Sequence, residues 1–207
     1  MVIRVLLADD ENLIREALGQ LLDLEDDLEV VAQAASGDEA LATALKVEPD
    51  VAVLDLQMPG NGTRRLDGIE VAEELAQRLP SCACVIVTSH GRPGHLKRAL
   101  KVGVRGFLPK TTSATTLAEV VRKVHAGGRH VDPELAAEAI SAGDSPLTPR
   151  EADVLELSAE GAPIDEIARR AALSPGTVRN YLSSAVTKLG AANRHEAGAT
   201  ARRLGWI

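Results

Sequence analysis

The stretch Val51-Ala52-Val53-Leu54-Asp55 limits the possible folds of this chain more than any other. It is a short apolar run rich in β-branched residues, and Met58-Pro59-Gly60 cuts it off soon after a carboxylate. It therefore reads as a buried strand with Asp55 at its carboxyl end. In an open parallel sheet the carboxyl ends of the strands form the ligand-binding rim. A carboxylate placed there can cap a loop, hold a metal, or act as a nucleophile that becomes a mixed anhydride. Asp55 alone does not choose among these roles.

The other strand ends narrow the choice. The run Ile3 to Ala8 ends in Asp9 and Asp10, the run Cys84 to Val87 ends in Thr88 and Ser89, and Gly106-Phe107-Leu108 leads into Pro109 and Lys110. Three carboxylates at neighbouring strand ends repel one another unless a hard cation with oxygen ligands neutralises them. Mg²⁺ suits one or two carboxylates plus waters and a phosphate. Lys110 adds a positive charge and the Thr88 hydroxyl a hydrogen-bond donor, which together make the electrostatic clamp that in-line phosphoryl transfer needs. Turn capping explains any one of these positions, but not all five together.

The pair Asp9-Asp10, Asp55 before Met58-Pro59, Thr88, and Lys110 after Phe107 resemble the receiver domain of two-component response regulators, over residues 3 to about 126. That resemblance implies that Asp55 is the phosphoacceptor. It also implies that Asp10 and Asp55 ligate Mg²⁺ with the Gln57 carbonyl, and that Asp9 supports the metal through water. Thr88 and Lys110 would sense the phosphoryl group, with Phe107 as the switch aromatic. Asn61-Gly62-Thr63-Arg64-Arg65 depart from the family pattern as a five-residue insertion. Its arginines either contact the phosphoryl group or the kinase, or belong to a solvated loop extension.

The order of elements agrees with such a domain. After the first strand, Leu13, Ile14, Ala17, Leu18, Leu21 and Leu22 recur at helical spacing. A short strand follows around Glu29 to Gln33, and Ser36-Gly37-Asp38-Glu39 announces a helix by a capping box. Strand and helix alternate to about Gly127, so the expected fold is a doubly wound, five-stranded parallel sheet covered on both faces, flavodoxin-like in order. No Gly-rich turn follows the first strand, which argues against a dinucleotide or nucleoside-triphosphate site. Leu117, Val120, Val121 and Val124 form the apolar stripe of the last receiver helix. Core packing accounts for most of it, and part of it together with the first helix offers a dimer surface.

The receiver is placed at residues 1–126 and a linker at 127–146. Gly127-Gly128, Pro133, Gly143 and Pro146 punctuate that linker, and one short helix is expected over Glu134 to Ser141. In the remaining residues, 147–207, Thr148-Pro149-Arg150-Glu151 is a strong helix start. That helix should stop at Gly161. A second short helix follows from Pro163 to Ala171, with a weak cap, and a third starts at Ser174-Pro175. Two short helices joined by a tight turn, Ala172-Leu173-Ser174, form a helix-turn-helix. Together with Glu166-Ile167-Ala168, Gly176-Thr177-Val178-Arg179-Asn180, Lys188-Leu189 and Asn193-Arg194, the region resembles the LuxR-type DNA-binding domain, an all-α unit of four helices. A capping pair, Asn193 and Glu196, opens the fourth helix, which by resemblance makes the dimer contact of that domain.

One face of the third helix carries Gly176, Arg179, Asn180, Ser183 and Thr187 within about a third of a turn. Arg179 suits guanine, Asn180 adenine, and Ser183 either base. Thr177 and Lys188 are placed as phosphate contacts. Val178, Tyr181, Leu182, Ala185, Val186 and Leu189 form the opposite, buried stripe.

The net charge of −7 looks wrong for a DNA-binding protein until it is divided. From Leu147 onward there are 8 Lys and Arg against 7 Asp and Glu, whereas the rest of the chain has 15 against 23. The acidity thus belongs to the first domain, and bases gathered on one face of the second still bind DNA. Aromatic content of 1% leaves no stacking platform for single strands. Cys82 and Cys84 point to one face of a strand and read as buried thiols in a reducing cytosol. No apolar run approaches 18 residues and Met1 leads directly into a strand, so neither a membrane insertion nor a signal peptide is expected.

Taken together, the chain resembles a response regulator of the NarL/FixJ type. The resemblance implies a cytoplasmic transcriptional regulator phosphorylated at Asp55 by a sensor histidine kinase. Phosphorylation would favour a homodimer that places two recognition helices about one DNA turn apart on promoter DNA. The alternative is an atypical regulator that binds DNA independently of phosphorylation. An enzyme is not expected: a phosphatase of the haloacid dehalogenase type needs a second Asp two residues after the first, and this chain has Gln57 there.

Overall fold

The computed structural model describes residues 2–58, 66–89, 91–141 and 144–207. The insertion Asn61 to Arg65 lies outside the described residues. The chain divides into two compact units. The first comprises residues up to 91 and 96–133, and the second 134–207 together with Arg92–His95.

In the first unit, strands and helices alternate in the order β1 (Ile3–Ala8), α1 (Asn12–Leu22), β2 (Leu28–Ala34), α2 (Gly37–Val47), β3 (Val51–Asp55), α3 (Gly68–Arg78), β4 (Ala83–Thr88), α4 (Pro93–Lys101), β5 (Gly106–Pro109), α5 (Ala114–His125) and β6 (His130–Val131). All the strand pairs are parallel and the spatial order is β2-β1-β3-β4-β5-β6. The first five strands stand as expected, with β6 as an addition on the open edge of β5. The His130 N–H donates to the Arg105 carbonyl at 2.8 Å and the Asp132 N–H to the Phe107 carbonyl at 3.1 Å. Two residues carry no periodicity, so only the free edge of β5 makes them a strand.

Strands β3 and β4 are buried along their whole length, which is why they read as continuous apolar runs. Val5, Leu7, Val51, Val53, Val85 and Val87 pack against Leu117, Val120, Val121 and Val124 of α5. All four α5 residues are therefore core, and the dimer surface placed partly on them is not available there. Helix α1 differs: Leu22 is buried, while Leu13 is 80% and Leu21 45% exposed. The start of α2 is also partly revised. The Ser36 hydroxyl accepts from the Glu39 N–H, but the Glu39 carboxylate turns to the Ala35 N–H at 2.8 Å. Cys82 and Cys84 are buried free thiols.

In the second unit, α6 (Pro133–Ser141) is followed by α7 (Pro149–Ala159), α8 (Ile164–Ala171), α9 (Pro175–Lys188) and α10 (Arg194–Arg203). Thr148 and Glu151 complete a reciprocal capping box with Pro149 in the first turn. Pro163 provides no side-chain cap for α8, while Ser174 caps α9. Ala172 ends α8 in the left-handed region, at φ 54°, which turns the chain into α9 within three residues. Val154, Leu155, Ile167, Val178, Leu182, Ala185, Ala197 and Ala201 form the core, with Tyr181, Val186 and Leu189 packed at its margin. Among the described residues no helix is long and apolar enough to cross a membrane.

Candidate functional site

Parallel pairing brings the carboxyl ends of β1, β3, β4 and β5 to one rim, and with them every strand-end residue the sequence singled out. Asp9 and Asp55 are buried while Asp10 is exposed. One ligand oxygen from each of these three carboxylates can be chosen so that all lie within 4.8 Å of one another. The Lys110 ammonium reaches into this group, with Nζ 2.9 Å from Asp55 Oδ2, 2.8 Å from Asp9 Oδ2 and 2.9 Å from Glu11 Oε1. The Lys110 N–H donates to the Thr88 carbonyl at 2.8 Å, so β4 and β5 hold Thr88 and Lys110 as neighbours. Thr88 and Phe107 are both fully buried. The Gln57 N–H donates to Asp55 Oδ1 at 3.3 Å, and its residue is exposed at the mouth.

Glu11 is the site residue that sequence reasoning missed. It directly follows Asp9-Asp10, and its own N–H donates to Asp9 Oδ1 at 2.8 Å. Four carboxylates against one ammonium leave the pocket rich in negative charge. Burial is the main cause that raises the Asp55 pKa to about 6, with Lys110 opposing and Asp9 adding to the rise. Burial and the neighbouring Asp9 also raise Asp10. For Lys110, burial acts to lower the pKa, but the bonds from Asp9, Asp55 and Glu11 outweigh it and the group is raised. A crowded oxygen set with elevated proton affinity fits a hard divalent cation.

The backbone beside Asp55 is tightly built. A Cβ on Gly68 would lie 2.2 Å from the Asp55 carbonyl oxygen, so only glycine lets α3 start against the end of β3. Asp67 caps that helix in a capping box with Glu70, and Arg98 of α4 pairs with the Asp67 carboxylate at 2.7 and 3.3 Å.

In the second unit, Gly176, Arg179, Asn180, Ser183 and Thr187 are all exposed along α9, opposite its buried stripe. The Thr187 hydroxyl donates to the Ser183 carbonyl at 3.0 Å. Thr177 is half-buried and engaged with the cap, its hydroxyl 2.8 Å from that of Ser174. The Lys188 ammonium lies 2.6 Å from Glu151 Oε2. Glu151 Oε1 accepts from the Ser184 hydroxyl at 2.6 Å, although the residue was picked from the sequence only as a cap.

The comparisons agree with this division. A model of the response regulator receiver domain matches residues 5–122, and one of the luxR family of bacterial regulatory proteins matches residues 145–201. The chain is 42% identical over 206 residues to the transcriptional regulatory protein YvfU of Bacillus subtilis and 41% identical to the transcriptional regulatory protein DesR of the same organism. In both cases all of this chain and all of the relative are covered. A solved structure of the response regulator RcsB in complex with DNA is 27% identical with a TM-score of 0.61, covering 97% of this chain and 98% of that one. With a buried acidic pocket at the carboxyl rim of one unit and an exposed polar helix face on the other, the chain belongs to the LuxR-family response regulators, DNA-binding transcriptional regulators that join a receiver domain to a helix-turn-helix domain.

Proposed function

We propose that phosphorylation of Asp55 by a sensor histidine kinase switches this regulator to a homodimer that binds promoter DNA at two half-sites. The observation that carries the reading is the Lys110 ammonium held between Asp55 and Asp9 at 2.9 and 2.8 Å, beside Thr88 on the next strand. An Asp55 carboxylate oxygen attacks the phosphorus of a phosphohistidine. The new P–O bond forms as the P–N bond breaks, and the electron pair leaves on the imidazole nitrogen. Phosphorylation moves the negative charge from the carboxylate to the phosphoryl oxygens, and the Lys110 ammonium and Thr88 hydroxyl follow it. Asp10, Asp55 and the Gln57 carbonyl would hold Mg²⁺, with Asp9 behind them, and the cation would supply neutralisation of the phosphoryl charge.

The chain acts here as an acceptor rather than as an enzyme, with Gln57 in place of a second catalytic Asp. On α9, Arg179, Asn180 and Ser183 face base edges while Thr177 and Thr187 lie along the backbone of the duplex. The exposed Leu13 and Leu21 of α1 supply an apolar surface for a second copy to cover. Selection of genomic DNA fragments by the purified protein, with and without beryllofluoride and Mg²⁺, tests the switch. Enrichment of a two-half-site sequence only with the phosphoryl mimic is the expected result. Equal enrichment in both conditions would overturn the switch and favour binding independent of phosphorylation.

A further inference from the structure

Helix α9 carries two cations, Arg179 and Lys188, both exposed, and they differ in their partners. Arg179 is exposed on the face assigned to the duplex. Lys188 is bound at 2.6 Å to a carboxylate whose residue is only 5% exposed. That carboxylate, Glu151, is fully used. Its Oε1 accepts from Ser184, and its Oε2 accepts from Lys188 and, at 2.7 Å, from the Thr148 N–H at the start of α7.

We propose that Lys188 is a positioning residue rather than a DNA phosphate contact, and that Glu151 is the counter-charge that fixes the rotation of the recognition helix. Ser184 and Lys188 are one turn apart on the same face of α9, so Glu151 grips two successive turns. Their immediate neighbours Ser183 and Thr187 face the duplex. A rotation of α9 by about 20° about its axis would move a side-chain tip by about 2 Å, more than a base-edge hydrogen bond tolerates. The grip also closes the capping box of α7, so one carboxylate sets both where α7 begins and how α9 is turned. Electrostatically, a lysine paired with a buried carboxylate adds no net charge to the face. It therefore releases no counterion when DNA binds.

The inference rests on α9 being the helix that meets the duplex, and the test keeps the two apart. Binding of the full-length protein to a random-sequence duplex is measured across a salt series. Glu151→Gln keeps a side chain suited to the capping box but frees the Lys188 charge. It should tighten random-sequence binding and steepen the plot of log K against log salt by about 0.9. The double variant Glu151→Gln/Lys188→Met removes the pair as a neutral unit and should keep the wild-type slope. A double-variant slope shallower by about 0.9 would overturn the proposal and make Lys188 a phosphate contact, and an unchanged slope in Glu151→Gln would overturn it by showing that Glu151 is not the counter-charge that keeps the lysine from the duplex. Thermal melting of each variant, followed by circular dichroism, confirms that the slopes are read on folded protein. Arg179→Ala, read on the DNA selected with the phosphoryl mimic, is the control and should lower affinity for that site. If it binds like wild type, the placement of α9 against the duplex falls, and the proposal with it.

Discussion

Both units close a lysine onto carboxylates, and the two closures differ in whether the charges balance. Around Lys110 stand Asp9, Glu11 and Asp55, with Asp10 close by, so negative charge is in excess. Around Lys188 stands Glu151 alone, and the charges balance. Proton affinity is raised there chiefly by burial, which pushes Asp55 up to about 6 with Lys110 opposing and Asp9 adding to the rise. The balanced pair shows the reverse. Burial alone would raise Glu151, but bonds from Lys188, Ser184 and Thr148 outweigh it and hold the carboxyl at about 2. A pocket that holds more negative charge than its own cation can neutralise attracts a further cation, whereas a neutral pair does not.

The largest effect expected from breaking the charged pocket is chemical. Asp55→Ala should abolish labelling by a small phosphodonor with Mg²⁺, as read by intact-protein mass. Undiminished labelling of that variant would move the acceptor to another residue. Gly68→Ala comes next, because its methyl would have to displace the Asp55 carbonyl. We expect a loss of about 3 kcal/mol in urea unfolding of the receiver, together with slower labelling.

The two carboxylates should then respond to pH with opposite signs. Without divalent cation, Asp55 destabilises the folded receiver above pH 6. That cost, of the order of 2 kcal/mol, is relieved as pH falls from about 6 towards 3.8. Asp55→Asn should accordingly raise the melting temperature at pH 7, and added Mg²⁺ should stabilise wild type more than the variant. Glu151 contributes stability that is fully present above pH 4.5 and is lost as pH falls towards 2, again of the order of 2 kcal/mol. The single tryptophan, Trp206, packs against the core of the second unit, so its fluorescence follows that loss separately. A Glu151→Gln variant that melts in acid like wild type would dissolve the contrast. The smallest effect belongs to the exposed face: Arg179→Ala should cost about 1 to 3 kcal/mol at the specific site, measured by fluorescence anisotropy. An equal loss on random DNA would make Arg179 a phosphate contact.

Much of this was legible before any coordinates. Asp9, Asp10, Asp55, Thr88 and Lys110 could be placed on one rim because each strand is short and apolar and leads directly into them. The caps at Ser36, Thr148, Ser174 and Asn193 could be read because a cap is made within three or four residues of itself. Strand β6 was not legible, since its two residues have no pattern of their own. The apolar stripes of α1 and α5 look alike in sequence, yet α5 is covered by the sheet and Leu13 and Leu21 of α1 stay in water.

What the sequence determined by itself is the set of elements apart from β6, their order, and which residues end the strands of the receiver and start the helices of the second unit. These follow from periodicity, turn residues and caps, all of which act over a few residues. Which charges meet was decided by the tertiary structure. Glu11 joins Lys110 across 99 positions and Glu151 joins Lys188 across 37, and no local pattern encodes such a pair. The strength of an ionic contact depends on the distance and burial that the fold imposes, so the same residue types become a crowded acidic pocket in one unit and a neutral clamp in the other.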